Sequence, residues 1–392
     1  MLKSILDTDL YKLTMQQAVH RLYPWAEAEY TFINRGGTEF PQGFAAKLRL
    51  AIEELASLRL TREEKTYLAA TCPYLTPVYL DFLRSYRFNP SEVHISQPPH
   101  GNLSVSVRGP WYRTILWEVP LMAMISELYF QETMARANPR PVRQETNTLK
   151  GESFVKSGAR LVDFGTRRRF SCQNQDEVLY DLLAVTGSTL VGTSNVYFAR
   201  KYGIKPIGTH AHEWFMYHGA INGYRAANPT ALDAWMRVYQ GALGIALTDT
   251  YTTKAFFSIF DAVKSRLFDG ARHDSGDPFD FADAAVAHYE KLLIDPFSKT
   301  SVFSDGISST DTVARLQRHC AGRIKTSFGI GTFLTNDVGV TPLNIVIKMT
   351  SCREHPNNRW VPTVKLSDAE GKHTGDKAEV KHCLDVVSRI AP

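Results

Sequence analysis

RLVDFG at residues 160–165 begins a series of seven short apolar segments that decides the fold class. Each segment ends in Asp, Gly, His, Ser or Thr, and most are followed by helix-forming residues, the alternation typical of a parallel sheet with helical connections. The other six are TLVGTS (189–194), KPIGTHAH (205–212), LGIALTD (243–249), FDGARHD (268–274), TSVFSDG (300–306) and IKTSFGIG (324–331). Because the carboxyl ends of barrel strands converge on one face, this row of polar strand ends predicts a β/α barrel with its functional site there. An open doubly wound sheet is the alternative, but the GxGxxG turn that usually follows its first strand is absent.

The first third of the chain mixes helix and strand patterns. Apolar residues recur at helical spacing from Asp7 to Tyr23, and residues 26–32 then alternate between apolar and polar, as in a strand with one wet face. Thr61 and Glu64 form a capping box, and segments 91–96 and 102–107 predict a hairpin around Pro98, Pro99 and Gly101. Residues 135–150 are polar, basic and proline-bearing, which predicts an exposed connection between two domains. LNIVIKM (343–349) and WVPTVKL (360–366) resemble paired strands that return to the N-terminal domain.

Composition narrows the class of protein. The 392 residues exceed one typical core, and 45 Lys+Arg against 40 Asp+Glu leave a net charge of only +5. The sequence lacks the basic stripe interleaved with aromatic residues that is typical of nucleic-acid binding. It also lacks an apolar stretch long enough to span a bilayer. The five cysteines are widely spread and lack CxxC spacing, which fits a reducing compartment. We therefore expect a cytoplasmic protein that acts on small molecules, with no nucleic-acid or membrane partner.

Two motifs follow the first and third predicted barrel strands. DFGTRRR (163–169) places three arginines after a buried strand, and guanidinium groups pair bidentately with phosphate and carboxylate oxygens; structural salt bridges at a helix start are the alternative. In GTHAHEW (208–214), alternation along an extended strand would put His210 and His212 on the same face beside Glu213. An imidazole there can be a ligand, a general base or a nucleophile.

The later strand ends carry carboxylates and glycines. RHDSGDP (272–278) concentrates acids in a turn, where they can hold Mg²⁺ or bind ribose hydroxyls; an ordinary helix cap is equally compatible. SDG (304–306) and SFGIGT (327–332) supply glycine turns whose backbone amides can cradle phosphate. No Walker A sequence is present.

Taken in order, these motifs resemble those of one family. The strings DTDLYKLTM (7–15), DFGTRRR, GTSN (192–195), GTHAHEW, LTDTYTT (247–253), RHDSGDP, FSDG, FGIGT, PLNIVIKM (342–349) and KLSD (365–368) are similar to those of bacterial nicotinate phosphoribosyltransferases. The resemblance implies a type II phosphoribosyltransferase: an α/β fold made of an irregular β/α barrel and a second, smaller α/β sandwich domain. Residues 155–344 would form the barrel, and residues 1–140, joined by the C-terminal segment 345–392, would form the sandwich. It also implies a homodimer whose active sites borrow residues across the subunit interface.

The resemblance assigns roles residue by residue. His212 would take a phosphoryl group from ATP, with Asp274 as a second catalytic residue. The nicotinate-binding residues would be Tyr11, Phe164, Ser194, Thr209 and Arg272, with Tyr11 supplied by the partner subunit. The residues around phosphoribosyl pyrophosphate would be Arg167, Asp305, Gly306, Gly329, Gly331, Thr332 and Lys348. An electron-poor ring suits aromatic faces, its carboxylate suits arginine, and phosphates suit glycine amides.

The reaction implied is the formation of nicotinate mononucleotide and pyrophosphate from nicotinate and phosphoribosyl pyrophosphate, a step of NAD biosynthesis. ATP would be a co-substrate through a phosphohistidine, and Mg²⁺ a cofactor. A metal-dependent barrel hydrolase using His210, His212, His273 and Asp274 is the alternative enzyme. Such hydrolases usually carry HxH on the first barrel strand rather than the third, and they leave the three arginines unexplained. A non-enzymatic phosphate-binding protein is a third possibility.

Overall fold

The computed structural model describes residues 2–98, 102–369 and 371–390. Within them the strands are β1 (Glu27–Asn34), β2 (Val93–Ser96), β3 (Ser104–Pro110), β4 (Leu161–Asp163), β5 (Leu190–Thr193), β6 (Lys205–Pro206), β7 (Ile245–Leu247), β8 (Gly270–His273), β9 (Thr300–Phe303), β10 (Lys325–Ile330), β11 (Ile345–Arg353) and β12 (Val361–Pro362). The helices are α1 (Leu10–Leu22), α2 (Phe44–Leu55), α3 (Arg62–Thr71), α4 (Pro77–Ser85), α5 (Trp111–Thr114), α6 (Glu118–Glu132), α7 (Arg140–Ser157), α8 (Cys172–Thr186), α9 (Val196–Tyr202), α10 (His212–Asn222), α11 (Tyr224–Tyr239), α12 (Thr253–Ile259), α13 (Ala262–Leu267), α14 (Pro278–Lys291), α15 (Thr310–Cys320), α16 (Thr332–Thr335) and α17 (Lys377–Ser388).

Strands β4 to β10 form one parallel sheet in the order β6-β5-β4-β10-β9-β8-β7. This order is the circular order of a barrel opened between β6 and β7, because every other pair of neighbours along the ring is hydrogen-bonded. The sheet therefore curls as an irregular half-barrel, which confirms the α/β class and all seven strands expected from the sequence. At the open seam, the Thr209 hydroxyl donates to the carbonyl of Ile245 at 2.9 Å.

Helix α1 fills this seam. Its first residue donates a backbone hydrogen bond to the Ser194 carbonyl at 2.8 Å, and the Thr14 hydroxyl donates to the Thr209 carbonyl at 2.6 Å. The approach is close enough that a Cβ on Gly208 would lie 2.9 Å from the Tyr11 amide nitrogen. A glycine at this point therefore allows α1 to dock against the strand ends of the half-barrel.

The second sheet is antiparallel, with strand order β12-β11-β1-β3-β2. Strand β1 is paired with β11 along its whole length, so residues 345–353 do return to the N-terminal sheet. Alternate residues of β1 are buried, as its sequence alternation predicts. The predicted hairpin is present as the antiparallel pair β2 and β3, whereas Pro99 and Gly101 of its turn lie outside the described residues. The domain boundaries at 140, 155 and 344 remain a prediction.

Residues 135–139 have no regular secondary structure, but residues 140–150, which their composition predicts to be part of an exposed connection, lie in helix α7. Helix α7 begins at Arg140, with Pro139 as its N-cap residue and Pro141 in its first turn, a position that proline favours. Arg140 pairs with Asp181 and Arg143 with Glu177, both on α8. The basic residues are therefore partners in helix packing.

The five cysteines are buried and free. Among the described residues, none of the helices combines the length and the apolar character needed to cross a membrane. Thr61 and Glu64 form the predicted capping box at the start of α3.

Candidate active site

A cavity of about 560 Å³ lies at the carboxyl ends of the barrel strands, with β11 and α6 on its other side. Its volume is within the range usual for small-molecule sites. The structure brings 13 of the 14 predicted site residues to its wall: Tyr11, Phe164, Arg167, Ser194, His212, Arg272, Asp274, Asp305, Gly306, Gly329, Gly331, Thr332 and Lys348. Tyr11 and Lys348 are the first and last of these residues in the sequence, so side chains 337 positions apart share one cavity.

His212 is the first residue of α10, and both of its ring nitrogens are engaged. Nε2 lies 2.9 Å from Oδ2 of Asp274, and Nδ1 lies 3.0 Å from the Thr250 hydroxyl. Because a carboxylate only accepts hydrogen bonds, we assign the ring proton to Nε2, which leaves the lone pair on Nδ1. Burial lowers the pKa of His212 to about 4, with Lys365 acting in the same direction. The ring is therefore neutral near pH 7 and able to act as a nucleophile.

A second carboxylate, Asp249, lies behind this pair. It is fully buried, accepts a hydrogen bond from the Ser275 hydroxyl at 2.6 Å and lies 3.5 Å from Nζ of Lys365. Its other oxygen, Oδ1, is 3.8 Å from Nε2 of His212 and has no hydrogen-bond partner among the described residues. Burial raises the pKa of Asp249, but His212 and Lys365 outweigh it and the net shift is downward.

The predicted extended strand through GTHAHEW is wrong. Strand β6 ends at Pro206, residues 207–210 form a loop, and the helix begins at His212. His210 points into the core, where its ring makes edge-on contacts with Phe215 and Trp235, and neither of its nitrogens has a partner among the described residues. The two histidines therefore do not share a face, and only His212 reaches the cavity.

One end of the cavity is aromatic. Phe164, after β4, and Tyr11, on α1, both line it, and a Cβ on Gly329 would lie 2.3 Å from the Phe164 ring. Gly329 therefore leaves space for this ring, in addition to the phosphate role that its glycine turn suggests. The chain's own Tyr11 lines this cavity, because α1 docks into the seam of its own barrel, and the supply of a Tyr11 by a partner subunit stays a prediction.

The polar groups at this end differ in part from expectation. The Ser194 hydroxyl donates to Oδ1 of Asp9 at 2.7 Å, so a carboxylate that the sequence analysis left unassigned stands beside it. Thr209 does not line the cavity, because its hydroxyl is used by the Ile245 carbonyl across the seam. The Tyr11 hydroxyl and Nε of Arg272 are buried without a hydrogen-bond partner among the described residues, as in a wall built to meet a ligand.

Basic side chains lie beside this aromatic end, with the Arg167 guanidinium carbon 5.9 Å from the centre of the Tyr11 ring. Arg167 has its Nε 3.7 Å from Oδ2 of Asp9 and one terminal nitrogen 3.6 Å from Oε1 of Glu118. Lys348 reaches in from β11, and burial lowers the pKa of this ammonium group to about 8. Glu118 is held ionised by the cations around it: burial raises its pKa, but Lys12, Arg167 and Lys348 bring it to about 2. Anionic ligands are favoured where two cations converge in a half-buried site.

The three arginines of DFGTRRR have separate tasks. Arg167 and Arg168 line the cavity, whereas Arg169 is fully buried away from it. The Arg169 guanidinium makes two hydrogen bonds to Asp7, at 2.7 and 2.8 Å. The salt-bridge interpretation therefore holds for Arg169, and anion binding by Arg167 and Arg168 stays a prediction.

The hydrolase alternative required His210, His212, His273 and Asp274 to meet at one metal. His273 packs against Phe281 and Phe303, and its Nε2 is 3.2 Å from the Gly276 carbonyl. In the described part of the chain, the group that could hold a metal is instead His212, Asp249 and Asp274, whose ligand atoms lie within 4.8 Å of one another. The metal set of the hydrolase is not assembled.

The chain matches known proteins both in sequence and in structure. Residues 159–388 match the family model described as "Nicotinate phosphoribosyltransferase (NAPRTase) family", and residues 6–126 match the corresponding N-terminal domain. The chain is 56% identical over 389 residues to the nicotinate phosphoribosyltransferase of Desulforapulum autotrophicum, which covers 99% of this chain and 100% of that one. It is 51% identical to that of Chromohalobacter salexigens, with 96% of each chain covered. The crystal structure of nicotinate phosphoribosyltransferase from Porphyromonas gingivalis superposes with a TM-score of 0.96 at 45% identity, covering 99% of this chain and 100% of that chain.

Proposed function

The chain belongs to the nicotinate phosphoribosyltransferase family and is a pentosyltransferase that acts on nicotinate, and we propose that it couples this transfer to ATP hydrolysis through phosphorylation of His212. The observation that carries the proposal is the neutral, buried imidazole of His212, held between Asp274 and Thr250 at the wall of a cavity that also contains Arg167 and Lys348.

The phosphorylation step follows from the ring's hydrogen bonds. Nδ1 of His212 attacks the γ-phosphorus of ATP, the bond from that phosphorus to the bridging oxygen breaks, and ADP leaves with the electron pair. The Nε2 proton stays in place, where the Asp274 carboxylate balances the charge that develops on the ring. A phosphoryl group on His212 would stand at the N-terminus of α10, where negative charge is favoured. Attack by water then returns neutral His212 and releases inorganic phosphate.

The transfer step is chiefly one of positioning. Departure of pyrophosphate leaves an oxocarbenium-like ribose, which the pyridine nitrogen attacks. We propose that Phe164 and Tyr11 hold the ring, that Arg272 meets its carboxylate, and that Arg167 and Lys348 bind the phosphates. Asp305, Gly306, Gly331 and Thr332 line the cavity beside them and suit the ribose phosphate.

The carboxylates that could hold Mg²⁺ are Asp274 at the cavity wall and Asp249, which lies behind His212 and outside the cavity lining. Asp249 and Asp274 would hold it, since Mg²⁺ prefers one or two carboxylates together with substrate phosphates, and Oδ1 of Asp249 is buried without a hydrogen-bond partner among the described residues. When bound, the ion would neutralise charge on the phosphates.

Removal of the Arg167 guanidinium should weaken phosphoribosyl pyrophosphate more than nicotinate. A lost charge-assisted contact to phosphate costs about 1.5 to 3 kcal/mol, so we expect the KM for phosphoribosyl pyrophosphate to rise about 10- to 100-fold in Arg167→Ala. Steady-state kinetics with each substrate varied in turn measures this difference. Arg266→Ala, which removes an exposed arginine bonded to the Ala262 carbonyl, is the control. Equal weakening of both substrates would show that Arg167 is not chiefly a phosphate ligand.

An acid at position 194 should reduce the use of nicotinate. In Ser194→Asp the new carboxylate would stand beside Asp9 and repel the carboxylate of nicotinate, so we expect kcat/KM for nicotinate to fall on the order of tenfold or more. Any gain with nicotinamide should be smaller, because Arg272 would pair with the new acid. Ser194→Ala is the matched neutral control. If Ser194→Asp turns over nicotinate normally, this account of pyridine selection is wrong.

The homodimer with shared active sites and the cytoplasmic location remain predictions. Sedimentation velocity of the purified protein would measure the first, and fractionation of cells that express it the second.

A further inference from the structure

The buried ammonium group of Lys12 connects two acids of the cavity wall, Glu118 and Glu213, without lining the cavity itself. Lys12 is fully buried on α1, directly after Tyr11. Its Nζ contacts Oε2 of Glu118 at 2.5 Å and also contacts Oε1 of Glu213. Both acids line the cavity, Glu118 on the α6 side and Glu213 next to His212. Burial of an ammonium group costs desolvation free energy, which the two acids offset by pairing with it.

Each acid continues toward a different part of the site. Oε1 of Glu118 lies 3.6 Å from a terminal nitrogen of Arg167, so this acid is shared between Lys12 and the cavity arginine. Oε2 of Glu213 accepts a hydrogen bond from the Tyr30 hydroxyl, which itself accepts one from Trp111 at 2.9 Å. The chain of contacts thus runs from Arg167 through Glu118 and Lys12 to Glu213, and Asp9 is a further acid beside Arg167, 3.7 Å from its Nε.

We propose that Lys12 is a positioning residue, which draws Glu118 away from Arg167 and so keeps the Arg167 guanidinium available for the phosphates of phosphoribosyl pyrophosphate. The inference rests on the proposed role of Arg167. Without Lys12, Glu118 has Arg167 as its nearest cation, and the acid then competes with substrate phosphate for the same guanidinium. The effect should fall on phosphate affinity rather than on the aromatic end of the cavity.

The test is a charge-removal series, with phosphoribosyl pyrophosphate binding measured by calorimetry in the absence of ATP. In Lys12→Met we expect the Kd to rise about tenfold, equivalent to about 1.4 kcal/mol, while the KM for nicotinate changes little. The double variant Lys12→Met/Glu118→Gln should recover most of this affinity, because the competing acid is neutral. Lys12→Met/Glu213→Gln should not recover it. Lys47→Met, which removes a lysine paired with Glu132 on the surface, is the control.

Two outcomes would overturn the proposal: unchanged phosphoribosyl pyrophosphate affinity in a folded Lys12→Met protein, or a double variant with Glu118→Gln as weak as the single one. If Lys12→Met does not fold, the single variant Glu118→Gln tests the proposal instead. It should bind phosphoribosyl pyrophosphate as tightly as the wild type or more tightly. Weaker binding would contradict competition between Glu118 and the substrate phosphates for Arg167. Since ATP is omitted, failure of the His212 chemistry would leave these results unchanged. If Arg167→Ala itself leaves phosphoribosyl pyrophosphate binding intact, the proposed phosphate role fails instead.

Discussion

Replacement of His212 by asparagine should abolish ATP hydrolysis and phosphoenzyme formation, with a loss on the order of 10⁶-fold, the scale seen when a covalent nucleophile is removed. Asparagine retains a polar side chain but has no nitrogen lone pair that can take a phosphoryl group. A slow transfer that does not depend on ATP should remain, because the groups that bind the ring and the phosphates are unchanged. Incubation with γ-labelled ATP should give acid-labile, base-stable label in the wild-type protein and none in His212→Asn.

His210→Asn is the control for this experiment. Its ring lies in the core between Phe215 and Trp235, so the change should lower the free energy of unfolding but leave the label per folded molecule intact. Asp274→Asn should lower the labelling rate without abolishing it, because the ring loses the carboxylate that balances its charge. Persistent label in His212→Asn, or its loss in His210→Asn, would move the phosphorylation site.

The barrel could be predicted because its pattern is local. Each strand is a short apolar run that ends in a polar residue, and a parallel sheet with helical connections has few ways to arrange such units. All seven runs became strands, although each strand is shorter than its quoted segment: RLVDFG contributes only Leu161–Asp163. The resemblance then supplied the residues that meet at the strand ends, and 13 of 14 lie in one cavity.

The errors arise where long-range packing overrides local pattern. GTHAHEW alternates as a strand would, yet α1 packs against Gly208 and Thr209, and the backbone turns there into α10. The proline-bearing segment 135–150 resembles a linker, but residues 140–150 belong to helix α7, whose arginines pair with acids on α8. Alternation and composition do not record which distant element will contact a segment.

The residues missed by sequence reasoning share this cause. Asp249 occurs in LTDTYTT and Asp9 in DTDLYKLTM, both of which carry the family resemblance, but nothing local indicates that one will stand behind His212 and the other beside Ser194. Lys12 and Glu118 lie 106 positions apart, and their pairing depends on the packing of α1 against residues 111–117, which lead into α6. Contacts between residues so distant in the sequence depend on the three-dimensional arrangement of the elements, which local sequence patterns do not give.

The ion pair between Asp7 and Arg169 gives the largest expected effect on stability. Both side chains are fully buried, Asn195 also donates to Asp7 at 2.7 Å, and Arg169 holds the pKa of Asp7 below its usual value despite the burial. Asp7→Ala leaves the Arg169 charge uncompensated in the core. Loss of one partner of a buried pair costs about 3 to 5 kcal/mol, so we expect a correspondingly lower urea midpoint in equilibrium unfolding.

A surface ion pair serves as the comparison for the cost of breaking this buried one. Lys65→Ala, which removes a lysine paired with Asp81 at the surface, should change the free energy of unfolding by no more than about 1 kcal/mol. The double variant Asp7→Ala/Arg169→Met removes both charges and should be less destabilised than the sum of the two single variants. A cost for Asp7→Ala near that of Lys65→Ala would show that water reaches Arg169.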